Sequence, residues 1–146
     1  MRSTASTSHP SAAGSQVYTR CLPSRRESAW EARRFVTSAL AAWGLADDDG
    51  QALVVISELV SNAHLHAATP TIRVGVRRVG PRLVRVFVVD RSDVMPLVRP
   101  PDTGSVGGRG LTLVDALSEG RWGVDPLPVG KRVWAQVSVT AADGPT

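Results

Sequence analysis

The chain has 146 residues, a formal net charge of +4, 42% hydrophobic residues and 21% charged ones. That length fits one domain able to bury its own core, and the composition excludes a wholly disordered chain. A single cysteine, Cys21, excludes an intramolecular disulfide and a cysteine-based zinc site, and no apolar run reaches the ~18 residues of a membrane-spanning helix. Residues 1–15 are rich in Ser, Thr and Ala and lack the apolar block of a signal peptide, so they read as a flexible tail on a cytoplasmic protein. Val17 to Leu22 alternate weakly and predict a first strand. Ser24-Arg25-Arg26-Glu27 has capping-box spacing and predicts a helix that Gly44 ends. Asp47-Asp48-Asp49 is placed to cap a second helix, which runs to about Ala67 and stops before Pro70. Thr71 to Val79 and Leu83 to Asp90, split by Gly80-Pro81, read as a β-hairpin. Residues 91–109 form a long irregular loop, and loops of more than ~12–15 residues in a compact domain are usually functional or disordered. Gly110 to Leu117 predicts a short helix, and Arg121 to Val124 and Arg132 to Val139 two final strands. The grouping predicts an α+β two-layer sandwich, a mostly antiparallel sheet with helices on one face, over residues 16–140, with 141–146 as a C-terminal tail.

The isoelectric point is about 10.5. Such a value favours anionic partners in general. Sixteen arginines and one lysine, Lys131, carry it, but among the arginines only Arg25-Arg26, Arg33-Arg34 and Arg77-Arg78 are adjacent. No stretch of sequence interleaves basic residues with aromatics for base stacking. The reading therefore assigns no direct nucleic-acid partner and no membrane contact.

The informative segment is Ile56 to Ala67. Each helical residue turns about 100°. Ala52, Ile56, Leu59, Val60, Ala63 and Ala67 then share one apolar arc, and Glu58, Asn62 and His66 form a row along its border. An ordinary amphipathic helix with a solvated flank gives the same pattern, so the row alone decides nothing. His64 points away from His66, which excludes a shared His-x-His metal site on a helix.

Glu58-Leu59-Val60-Ser61-Asn62-Ala63-His64-Leu65-His66-Ala67 resembles the N-box of the histidine-kinase-like ATPases, and most of all their anti-sigma-factor serine/threonine kinase branch. Three further motifs follow in the family's order. Asp90-Arg91-Ser92, with Pro96 beyond, is similar to the D-x-S-x-x-x-P form of the first glycine box. Gly108-Arg109-Gly110-Leu111 is similar to the second glycine box, and Gly130-Lys131-Arg132-Val133-Trp134 to the last strand. The likeness covers residues 17–139. It departs from the wider family at Ser92, where a glycine is usual, and at Lys131, where a hydroxyl residue is usual.

The resemblance implies a Bergerat-type ATPase fold that binds ATP and Mg²⁺. It implies Glu58 as general base, Asn62 as magnesium ligand and His66 beside the phosphates. Asp90 would read the adenine amino group, with Ser92 and Pro96 lining the pocket and Gly108, Arg109, Gly110 and Leu111 the phosphate end. The chemistry suits these types. An ionised carboxylate only accepts hydrogen bonds, an amide oxygen is a hard ligand without charge, and a glycine-rich helix start offers amides to anions. The implied activity is phosphorylation of an anti-sigma-factor antagonist, with a sigma factor and a second copy of the chain as further partners. The alternative is a non-catalytic ATP-binding module that works by holding a partner.

Overall fold

The computed structural model describes residues 16–66, 70–91 and 106–142. In chain order the elements are β1 (Val17–Pro23), α1 (Ser28–Ala42), β2 (Leu45–Ala46), α2 (Gln51–His66), β3 (Thr71–Gly80), β4 (Leu83–Asp90), α3 (Val106–Leu117), β5 (Trp122–Pro126), β6 (Lys131–Ser138) and β7 (Thr140–Ala141). Five strands form one sheet in the order β1-β3-β4-β6-β5, and β2 pairs with β7. Every strand pair among the described residues is antiparallel, so the α+β architecture expected from the sequence holds. No described helix is long and apolar enough to cross a membrane.

The strand period of two decides what covers the sheet. Ile72, Val74 and Val76 on β3, Val84, Val86 and Val88 on β4, and Val133, Ala135 and Val137 on β6 are all buried on one face. The helices lie on that face. α1 packs over β1 and β3, α2 over β4 and β6, and α3 against α2. The core-facing residues of α2 are Ala52, Ile56, Leu59, Val60 and Ala63, as the three-and-four spacing predicts, and in addition Val55; Ala67 lies outside the described residues.

The helix starts differ from expectation in two places. α1 opens at Ser28, and its N-cap, Glu27, makes no side-chain capping bond. Residues 25–30 are instead tightened by i to i+3 backbone bonds, Ser28 N–H to Arg25 among them at 3.1 Å, and Ser28 Oγ donates to the Pro23 carbonyl at 2.6 Å. Ser24 thus stands a turn too early to cap. α3 opens at Val106, four residues before the expected start. Glycine propensity argued against helix there, but Leu111 and Val114 are buried in the core, and packing of this kind overrides propensity. The start of α2 agrees with the sequence. Asp47 accepts from the Ala52 and Leu53 amides at 3.1 and 3.0 Å, and Gly50 turns the chain at φ +73°. This cap fixes where α2 begins, and burial of Ala52, Ile56, Leu59, Val60 and Ala63 sets the bearing of its polar row.

Candidate nucleotide site

α2 is the central helix, held between α1 and α3 and seated on β4 and β6. Arg33 on α1 donates to Ser57 Oγ at 3.1 Å, and Ser57 donates to the Leu53 carbonyl at 2.8 Å. His64 is hydrogen-bonded through Nδ1 to the Ser24 carbonyl at 3.1 Å, a link between α2 and the turn before α1. Of the polar row, Glu58 is half-buried and Asn62 is 7% exposed. They stand one turn apart, as the periodicity requires. His66 is the last residue of α2, and its side chain lies outside the description.

Asp90 ends β4 at an inward position, continuing the parity of Val84, Val86 and Val88. Its register partner across β4 and β6 is Lys131, the first residue of β6. Lys131 Nζ donates to Asp90 Oδ1 at 3.0 Å, and the two side chains are 2% and 1% exposed. Each also makes a further contact. The expected adenine reader is therefore a buried carboxylate held by a buried ammonium, and the cation stands where the wider family has a hydroxyl. Lys131 is not among the site residues that the resemblance implies. A signal was present: Lys131, Val133, Ala135 and Val137 share one parity, which turns the lysine inward.

Gly130 completes this corner. Its φ is +85°, and a Cβ there would run into the Asp90 carbonyl oxygen and Arg91 Cα. The β5–β6 turn, closed by Leu127 N–H to Gly130 O at 3.0 Å, so presses directly on the end of β4.

The remaining expected site residues divide. Ser92 and Pro96 lie outside the described residues. Gly108, Arg109 and Gly110 lie inside the first turns of α3, not ahead of it. In an α-helix the first four N–H groups lack an intrahelical partner. For α3 these include the amides of Val106, Gly107 and Gly108, all upstream of Gly110 and Leu111. The Leu111 side chain is 1% exposed in the hydrophobic core, so the phosphate-end role the resemblance implies for it falls to its backbone. A concavity of about 440 Å³ lies elsewhere, between β1 and α1, and includes neither the polar row nor Asp90.

One helix, α2, thus lies across an antiparallel sheet whose central strand, β4, ends in Asp90. Residues 22–135 match the histidine kinase-like ATPase domain family, and the chain belongs to it. Among solved structures, full-length ShkA in complex with AMPPNP is similar in fold, with a TM-score of 0.51 and 16% identity over 92% of this chain. The chain spans 34% of that structure's length. No curated protein sequence matches it.

Proposed function

We propose that this chain is an ATP-dependent serine/threonine protein kinase of the anti-sigma-factor type, acting in the cytoplasm on an anti-sigma-factor antagonist and holding a sigma factor. The observation that supports it most is the pairing of Glu58 and Asn62, one turn apart on α2, with Asp90 at the end of the strand α2 covers. Asp90 offers acceptor oxygens only, which suits the amino group of adenine and opposes the carbonyl of guanine. Asn62 supplies a hard, neutral oxygen from a mostly buried amide, a fit for Mg²⁺ among phosphate oxygens. Bound there, the ion would neutralise phosphate charge. Glu58 is half-buried and accepts the proton of the attacking hydroxyl, which belongs to the partner protein. The leading amides of α3, with Arg109 and His66, are assigned to the phosphates. Ser92 and Pro96 are assigned to the base pocket by family likeness. A dimer of this chain is part of the same proposal.

The test is transfer of ³²P from γ-labelled ATP to a serine or threonine of the cognate antagonist. Glu58→Ala should slow transfer by roughly 10²–10⁴-fold, the usual contribution of a general base, with ATP binding retained. ATP binding without any transfer by the unaltered chain would leave the partner-holding module as the correct reading.

A further inference from the structure

The face of the sheet opposite the helices carries no helix among the described residues. Folding assembles there what no stretch of sequence contains. Gly75, Phe87, Trp134 and Gly123 are consecutive register partners across β3, β4, β6 and β5. A Cβ on Gly75 would overlap the Phe87 ring, and one on Gly123 would stand 2.8 Å from the Trp134 ring, so both rings lie flat over glycines. Arginines flank this aromatic row. The Arg85 guanidinium lies 4.1 Å from the Trp134 centroid and that of Arg132 5.8 Å from Phe87. Arg73 and Arg77 share the outward parity of Gly75 on β3. Arg77 and Arg85 are direct register partners, and the Arg85 guanidinium turns toward β6, where it also donates to Gln136 Oε1 at 3.1 Å. Among these rows the opposing carboxylate is that of Asp125 on the edge strand, 3.6 Å from Arg132.

We propose that this face docks an acidic protein segment, its carboxylates held by Arg73, Arg77, Arg85 and Arg132. The face is rich in guanidinium donors, and a guanidinium matches a carboxylate bidentately. Single-stranded nucleic acid fits less well, because it needs open ring faces for its bases. Here Phe87 is 6% exposed, and Arg85 already covers Trp134. A second copy would set the same arginines against one another, and residues 1–15 contain no Asp or Glu to fold back onto them. Since the helices and Asp90 lie on the other face, such a partner is held without competing for nucleotide. The inference stands whether or not the chain transfers phosphate.

Fluorescence anisotropy of a labelled poly-glutamate peptide tests this on the full chain without nucleotide. The unaltered chain should bind. Arg73→Glu with Arg77→Glu should weaken binding roughly tenfold or more, while Arg25→Glu with Arg26→Glu, an equal charge change at exposed positions before α1, should alter it less than about twofold. Circular dichroism establishes that each variant is folded. Four outcomes would overturn the proposal: no binding, equal weakening by the two pairs, stronger binding of oligothymidine than of poly-glutamate, or self-association in sedimentation that Arg73→Glu with Arg77→Glu abolishes.

Discussion

Lys131→Met is expected to destabilise the fold by about 3–5 kcal/mol, the usual cost of removing one partner of a buried ion pair. The substitution keeps the length and apolar stem of the side chain, so little packing is lost. It withdraws the ammonium 3.0 Å from an Asp90 carboxylate that water hardly reaches. Asp90→Leu alone strands the lysine instead and should cost a similar amount. The two together should cost far less than their sum, because an apolar pair of similar volume removes both desolvation penalties. Denaturant midpoints of the four proteins check this. Additive losses would show that the ion pair does not couple the two strand ends. The double variant separates stability from recognition, since it should fold and yet lack the acceptor proposed to read adenine.

Gly130→Ala should be nearly as damaging, about 3 kcal/mol or more, from a single added methyl. Two effects act together. A φ of +85° is strained for any residue with a side chain, and the new Cβ meets the backbone of Asp90 and Arg91, which has no rotamer to yield. Gly44→Ala is the internal control. Its φ is +71°, but nothing lies within 4 Å of the added carbon, so only the backbone strain of about 1 kcal/mol applies. Thermal unfolding should place Gly130→Ala roughly 10 °C below the unaltered chain and Gly44→Ala only a few degrees below it. Equal shifts would mean that the β5–β6 turn does not press on the end of β4.

Much of this was legible in the sequence because period and local chemistry carry it. The spacing of Ala52, Ile56, Leu59, Val60 and Ala63 fixes the buried side of α2 and so places Glu58 and Asn62 on its border. Asp47 marked its own helix, since its capping partners are five and six residues away. What was missed depends on residues distant in sequence. The Asp90–Lys131 pair joins positions 41 apart and appears only once β4 and β6 are in register. The arginine–aromatic face spans three strands, so a search along the chain for interleaved basic and aromatic residues finds nothing. β2 and β7, two residues each, are strands only by virtue of one another. The early start of α3 comes from its seat on α2, against the preference of its own glycines.

Isothermal titration with ATP in the presence and absence of Mg²⁺, on the unaltered chain, Asp90→Asn and Asn62→Ala, probes the nucleotide site most directly. The unaltered chain should bind ATP in preference to GTP. Asp90→Asn should lose that preference and bind ATP about tenfold more weakly, a change of roughly 1.4 kcal/mol. Asn62→Ala should lose mainly the magnesium-dependent part of the affinity. If both variants are folded by circular dichroism and still bind ATP as the unaltered chain does, the nucleotide does not sit between α2 and the end of β4.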